Sequence, residues 1–317
     1  RRQSQRVSLV VSAMIDFPKC ATEHSVGERI VSEVDYVFVD CDGVLWLDND
    51  IIPGTDRVIN SLRRKGKKII FATNNSSKSR EDILSKLNKM GFNATIDEIM
   101  ITSFALCVYL KKLNFNGKVY VFGGKGLSIE LNNAGFENIG VGKDPLIDDN
   151  TYVPNVILDN DVKAIVVAYD IHISLPKLIK ACTYAKNVDE NFFIATNTDE
   201  TFPTPMKHLV VPGSGAFVSF IRTACGRKPV ILGKPGKFFF DCVKAVCPDV
   251  DPARSVMIGD RLNTDIAFGN NNGFRYTIHV QTGVDSLDDI KECIKKGEIQ
   301  SVPSHYIHSL ADLNKFL

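Results

Sequence analysis

The chain has 317 residues, 44% of them hydrophobic and 24% charged, the balance of a self-folding protein and not of a disordered or collagenous one. Its 38 basic and 37 acidic residues leave a net charge of +1 with no long single-sign block, which argues against a nucleic-acid partner. No run approaches the ~20 apolar residues of a membrane span, so a soluble, cytoplasmic protein is expected.

In chain order, residues 1–32 read as an N-terminal extension. Its first fifteen residues have a basic start and an apolar run, but serines interrupt that run and it is short for a signal core, so no targeting role is expected. From Val34 onward, short β-branched runs alternate with helical patterns, the signature of a parallel sheet with crossover helices. Residues 34–41 (VDYVFVDC) form a nearly continuous apolar run ending in acids, and residues 68–73 (KIIFAT) are a second strand. Between them a helix is expected, its start signalled by Pro53-Gly54-Thr55 and its end by Gly66. Residues 81–90 place Ile83, Leu84, Leu87 and Met90 on one helical face, with Ser79 as N-cap and Gly91 just past the end.

Strands are expected at 118–122, 164–168 and 192–196, then at 229–232, 255–259 and 274–280. His305 and His308 fall in a strand-like stretch with no metal-binding spacing. The polar strand ends lie before Ser76 and after Gly233, about 160 residues apart. The expected fold is therefore α/β: a doubly wound parallel-sheet core from 33–115 and 230–317, with a second α/β unit inserted at 116–229.

The strongest chemical signal is Asp40-Cys41-Asp42-Gly43-Val44-Leu45. Burying two carboxylates costs several kcal/mol unless they are paired or ligate a metal, and a divalent cation answers that cost. If the strand continues, Asp40 and Asp42 face one side. If it unwinds, Asp42 can lend its backbone carbonyl to the metal instead. A solvated turn is the bland alternative for the pair alone. Gly259-Asp260-Arg261-Leu262-Asn263-Thr264-Asp265 again sets acids at the end of an apolar strand, and in an open parallel sheet ligands bind outside the carboxyl ends of strands. Asp40, Asp260 and Asp265 can meet there, and three carboxylates suit octahedral Mg²⁺. Thr73-Asn74-Asn75 supplies a hydroxyl and amides at another strand end. Gly233-Lys234-Pro235 puts a cation ahead of a helix start, which makes an anion site. The eight cysteines, Cys41, Cys107, Cys182 and Cys225 among them, are scattered through apolar stretches and read as reduced packing residues.

These four segments resemble the motifs of the haloacid dehalogenase superfamily of phosphatases. DCDGVLW, TNNSSKSR, GKP and GDRLNTD resemble its phosphoglycolate and pyridoxal phosphate phosphatases, also called 4-nitrophenylphosphatases, from about Asp35 to the C-terminus. The resemblance implies that Asp40 attacks phosphorus and becomes an aspartyl phosphate, and that Asp42 protonates the leaving oxygen and later deprotonates water. It implies Mg²⁺ on Asp40, the Asp42 carbonyl and Asp260, with Asp265 acting through water. Thr73, Asn74, Asn75 and Lys234 would hold the phosphoryl group.

The insertion would be a cap, with Asn197, Asp199 and Phe202 facing substrate. Within it, Ile194-Ala195-Thr196-Asn197 repeats Phe71-Ala72-Thr73-Asn74, but only the first copy follows the nucleophile strand after a single crossover. Pro212-Gly213-Ser214-Gly215 precedes an apolar helical run and could cradle an anion, but it reads rather as a hinge or a tight turn returning to the core. Pyridoxal phosphatases of the family carry a His where this chain has Phe202. That departure favours a small phosphorylated acid such as phosphoglycolate or phospholactate over pyridoxal phosphate, with 4-nitrophenyl phosphate as an artificial substrate, unless Phe202 is a packing aromatic. A homodimer through the cap is the family expectation. A phosphoacceptor signalling domain shares the strand-end acids, but it has no use for a general base beside the nucleophile, nor for so large an insertion. A partner-binding protein that has lost catalysis would not need intact Asp40, Asp42, Lys234 and Asp260.

Overall fold

The computed structural model describes residues 16–22, 24–146, 153, 155–202, 206 and 208–317. Residues 1–15, the segment weighed for targeting, lie outside the described residues. Among the described residues no helix is long and apolar enough to cross a membrane.

The larger sheet has seven parallel strands. In spatial order they are Lys19–Cys20, His305–Ile307, Tyr276–Val280, Ser255–Gly259, Tyr36–Val39, Lys68–Thr73 and Ile99–Ile101. From Tyr36–Val39 the chain steps outward one way to Lys68–Thr73 and Ile99–Ile101. After the insertion it re-enters on the other side at Ser255–Gly259 and steps away in the opposite direction. The reversal falls between Tyr36–Val39 and Ser255–Gly259, so the crevice of a doubly wound sheet opens at the ends of those two strands.

Tyr36–Val39 is buried throughout, yet its residues still divide by the period of two. Val37 and Val39 join Val58, Ile59, Leu62, Ile83 and Leu87 on one face. Tyr36 and Phe38 join Phe239, Phe240, Phe268 and Phe274 on the other. Helices Thr55–Arg64 and Arg80–Lys89 supply the first layer. Lys237–Val246 and Ala267–Asn271 supply the second. The Ser79 hydroxyl accepts from the Asp82 amide at 3.1 Å, and the Asp82 carboxylate returns the bond to the Ser79 amide, so a capping box starts the helix that Ser79 was expected to cap.

The second sheet has five parallel strands in the order Val230–Ile231, Phe193–Ala195, Val162–Val167, Lys118–Phe122 and Asn138–Ile139. Two places differ from expectation. The strand expected at 229–232 forms, but Val230 and Ile231 pair with Ile194 and Ala195 at the edge of this second sheet, not in the larger one. The inserted unit therefore keeps that strand, and the boundary expected between 229 and 230 falls too early. A two-residue strand carries no facing pattern that would select one edge over another. The expected extension 1–32 likewise contributes to the larger fold: Lys19–Cys20 pairs with His305–Ile307, and Ile30 and Val31 from the helix His24–Glu33 enter the core.

Candidate active site

Tyr36–Val39 ends one residue before Asp40, whose amide still donates to the Ile258 carbonyl at 2.9 Å. The side chain therefore leaves the sheet at the switch point. The chain then unwinds: the Leu45 amide bonds the Cys41 carbonyl at 2.8 Å, and a short hairpin, Trp46–Leu47 with Asp50–Ile51, follows. Of the two geometries open for the acid pair, this is the unwound one. Asp42 does not share a strand face with Asp40; its Oδ1 instead accepts from Trp46 Nε1 at 2.7 Å.

Lys234 is 2% exposed and reaches the same point from the segment ahead of Lys237–Val246. Its Nζ donates to Asp40 Oδ1 at 2.8 Å, to Asp265 Oδ1 at 2.6 Å and to the Ala72 carbonyl at 2.6 Å. All three donor positions of the ammonium are filled, which fixes it. Burial works to lower its affinity for a proton, but Asp265 and Asp40 outweigh that and hold it charged.

Asp40, Asp260 and Asp265 each bring a carboxylate oxygen within 4.8 Å of the others. Burial first, and then the neighbouring acids, push Asp40 up to about 7 despite Lys234. The same causes push Asp260 well above the usual carboxylate range. One lysine does not balance three buried carboxylates, so the donor set fits a hard, oxygen-seeking divalent cation. The backbone is also shaped around Asp260. A Cβ on Gly43, which sits at φ 84°, would come within 2.4 Å of Asp260 Oδ2, and one on Gly283 within 1.9 Å. Both positions are bare so that the carboxylate can lie there. The Val284 amide donates to the same oxygen at 2.8 Å.

At the end of Lys68–Thr73, the Thr73 hydroxyl accepts from the Asn75 amide at 3.1 Å. Asn75 Oδ1 accepts from the Ser77 amide and hydroxyl at 2.9 and 2.8 Å, while its Nδ2 has no partner among the described residues and is available to an anion. Asn74 also lines the cavity, but its side chain is engaged elsewhere. Its Nδ2 is spent on the Lys234 carbonyl at 3.1 Å and on Asp199 Oδ1 at 3.1 Å, which leaves its side chain no donor for phosphate. Its Oδ1 accepts from the Lys234 amide at 2.9 Å.

The inserted unit closes over this crevice. Asn197 Nδ2 donates to the Asn74 carbonyl at 2.9 Å, and Thr196 Oγ1 lies 3.3 Å from Ser76 Oγ. Asp199 is raised above the usual carboxylate range by burial, with Arg261 and Asn74 pulling the other way. Arg261 Nη2 donates to the Thr201 carbonyl at 3.0 Å, joining the larger sheet's loop to the hairpin Thr201–Phe202 with Val211–Pro212. Phe202 takes part in that hairpin through its backbone; its side chain lies outside the described set. A cavity of about 70 Å³ results, lined by Asp40, Asp42, Thr73, Asn75, Lys234 and Asp260 from the larger sheet and by Tyr169, Asn197, Asp199, Thr201 and Ser214 from the insertion.

Of the residues lining it, Arg261, Tyr169 and Thr264 were not singled out from sequence, whereas Ser214 lies in the loop weighed as an anion cradle. Arg261 and Thr264 stood inside a motif already marked for its acids. Tyr169 follows the carboxyl end of Val162–Val167, a position where the strand-end rule applies as well. Ser214 heads the helix Ser214–Cys225, just after the glycine read as a hinge.

Carboxylates, a lysine and a hydroxyl gathered at the switch point of a doubly wound sheet, roofed by a second α/β unit, are the equipment of a protein that handles phosphoryl groups. Comparison with known proteins agrees. Residues 37–137 match the family described as haloacid dehalogenase-like hydrolase, and residues 231–313 match a second family of the same hydrolase type. The glycerol-3-phosphate phosphatase of Mus musculus is 37% identical over 90% of this chain and 91% of its own length. The 4-nitrophenylphosphatase of Schizosaccharomyces pombe is 37% identical over 90% of this chain and 95% of its own. Among solved structures, the p-nitrophenyl phosphatase from Archaeoglobus fulgidus superposes with a TM-score of 0.75 at 27% identity, covering 90% of this chain and all of that one. The chain belongs to the haloacid dehalogenase-like hydrolases, with their core sheet and inserted cap. Within them it is a phosphoric monoester hydrolase.

Proposed function

We propose that the enzyme hydrolyses small phosphate monoesters through an aspartyl phosphate on Asp40. The observation that carries this reading is the contact of Lys234 Nζ with Asp40 Oδ1 at 2.8 Å, beside Asp260 and Asp265. In the first step an Asp40 oxygen bonds to phosphorus, the bond to the leaving oxygen breaks, and Asp42 gives that oxygen its proton. In the second, water attacks phosphorus, Asp42 takes a proton from the water, and phosphate leaves Asp40. Lys234 holds Asp40 in place and offsets the negative charge of the phosphoryl oxygens. Thr73 and the Asn75 amide group bind those oxygens, while Asn74 acts through Lys234. Asp40, Asp260 and the Asp42 carbonyl would hold Mg²⁺, with Asp265 behind them. When bound, the ion supplies positive charge against which two anions can approach.

The substrate is read as a small phosphorylated polyol or acid: glycerol 3-phosphate, phosphoglycolate or phospholactate. Support comes from the name of the mouse relative and from the cavity, whose 70 Å³ falls well below the ~300 Å³ at which pockets for larger organic ligands begin. The test is a panel of these esters with pyridoxal phosphate and 4-nitrophenyl phosphate, ranked by kcat/KM in Mg²⁺, with an Asp40→Asn control. Small esters should rank above pyridoxal phosphate, and the control should not turn over. Turnover by Asp40→Asn would overturn the mechanism, and a preference for pyridoxal phosphate would overturn the substrate reading.

A further inference from the structure

Asp42 must deliver a proton to one oxygen and later take one from another, so its carboxylate has to stay aimed through both steps. It sits in an unwound loop, where the backbone alone does not fix a side chain. The structure supplies a second hold. Trp46 is 1% exposed, and its Nε1 donates to Asp42 Oδ1 at 2.7 Å. The indole is itself seated from outside: Lys86 Nζ, on the helix Arg80–Lys89, lies 4.1 Å from the centre of its ring. The same ammonium donates to the Asp48 carbonyl at 2.6 Å. Asp48 is the hairpin residue at φ 54°, an unfavourable conformation for a side chain other than glycine. One lysine therefore clamps both the ring and the turn that carries it, and the Gly43 amide closes the base of the hairpin on the Trp46 carbonyl at 2.8 Å.

We propose that Trp46, seated by Lys86, is a positioning residue for proton transfer: it occupies Asp42 Oδ1 and leaves Oδ2 as the oxygen that exchanges the proton with the leaving group and with water. This rests on the reading of Asp42 as the acid and base. Trp46 touches neither substrate nor the reacting atoms. Its effect is therefore confined to steps in which a proton moves.

The leaving group separates this role from a structural one. Phosphoryl transfer from an alkyl ester needs a proton on the departing alkoxide, whereas 4-nitrophenolate departs without one. Because kcat/KM reports the steps up to the first irreversible one, it isolates this transfer from hydrolysis of the phosphoenzyme. Trp46→Phe keeps an aromatic ring on the Lys86 side and removes the N–H together with part of the indole's bulk, and the lost packing acts on both esters alike. For glycerol 3-phosphate its kcat/KM should fall about tenfold, while for 4-nitrophenyl phosphate it should stay within about twofold. Equal losses on both esters, or no loss on either, would overturn the proposal. Lys86→Gln lies on a helix surface and guards against a variant that fails to fold. It should shift the alkyl-to-aryl ratio in the same direction by about two- to threefold, and an unchanged ratio in a folded Lys86→Gln protein would also overturn it. Wild-type turnover of the two esters tests the phosphatase reading on its own, so the two failures remain distinct.

Discussion

Asn74 grips Lys234 by both sides of its backbone: Asn74 Oδ1 accepts from the Lys234 amide at 2.9 Å, and Asn74 Nδ2 donates to the Lys234 carbonyl at 3.1 Å. The two residues are 160 positions apart, one at the end of Lys68–Thr73 and one where the chain leaves the cap. This paired bond sets where the ammonium meets Asp40. Asn74→Ala leaves both Lys234 backbone groups without a partner and frees the segment to shift. A displacement of about 1 Å is enough to cost roughly 10²-fold in rate. Steady-state kinetics should show kcat/KM lowered by about that factor on every ester, aryl or alkyl, with thermal stability lower by about 1–3 kcal/mol. A variant that keeps wild-type kcat/KM would mean that Lys234 is placed by its side-chain bonds alone.

Gly283 tests the cation site without replacing a ligand. A methyl group there would fall 1.9 Å from Asp260 Oδ2, so Gly283→Ala must push the carboxylate aside. Groups that orient ligands typically alter metal affinity by 10–100-fold. The Mg²⁺ concentration for half-maximal activity should rise by about tenfold at least, and saturating Mg²⁺ should restore most of kcat. Excess chelator should abolish activity in both proteins. An unchanged Mg²⁺ titration would show that Asp260 does not need its present place to hold the ion.

Much of this site is legible in the sequence alone, for a physical reason. Val37, Phe38 and Val39 announce a buried strand, and a carboxylate directly after such a run demands compensation. The same logic marked Asp260 after Val256-Met257-Ile258. Pairing choices were not legible. Val230–Ile231 is as good an edge strand for either sheet, and only the packing of Ile231 with the cap cluster decides. Nor does any local pattern reveal that Trp46 turns back onto Asp42, because that depends on a tight hairpin with Asp48 at positive φ. Asn74 was marked for its amide and its place at a strand end, but its true partner, the Lys234 backbone, is a tertiary fact.

His279 carries a pH dependence away from the reacting atoms. It is fully buried in Tyr276–Val280, and neither ring nitrogen has a hydrogen-bond partner among the described residues. Burial depresses it to about 4, against an upward pull from the nearby Asp285 backbone and the Asp265 and Asp289 carboxylates. The folded state therefore binds fewer protons here than the unfolded state. The stability gained by keeping the ring neutral is present above ~6.5 and is lost as pH falls toward about 4. His305, also depressed to about 4 by burial, works in the same window. The raised Asp40 and Asp260 work in the opposite sense, so the informative quantity is the difference between proteins at each pH. His279→Leu should melt higher than wild type, and its advantage should grow between pH 6.5 and 4.5 by up to about 3 kcal/mol, with activity at pH 7 within about twofold. A constant advantage across that range would mean that the ring is not neutral in the fold.

Arg261 ties the cap to the core at the mouth of the cavity. It follows Asp260 directly, yet its Nη2 donates to the Thr201 carbonyl in the cap hairpin at 3.0 Å, and its charge lowers Asp199 against burial. Two consequences follow from removing it. The hairpin loses a charge-assisted bond, of the kind worth about 1.5–3 kcal/mol. Asp199, already short of solvent, loses its main positive neighbour and is more readily protonated. The bonds that hold Lys234 on Asp40 and Asp265, and Asp260 on the Val284 amide, do not involve the guanidinium. Arg261→Gln should therefore raise KM for glycerol 3-phosphate by about tenfold while kcat falls less than threefold. Amide exchange at 201, 202 and 211 should speed up in the same variant, since the bond that closes the hairpin onto the core is gone. If kcat falls as far as kcat/KM while the hairpin amides keep their protection, the guanidinium acts on the transferring phosphoryl group and not on the cap.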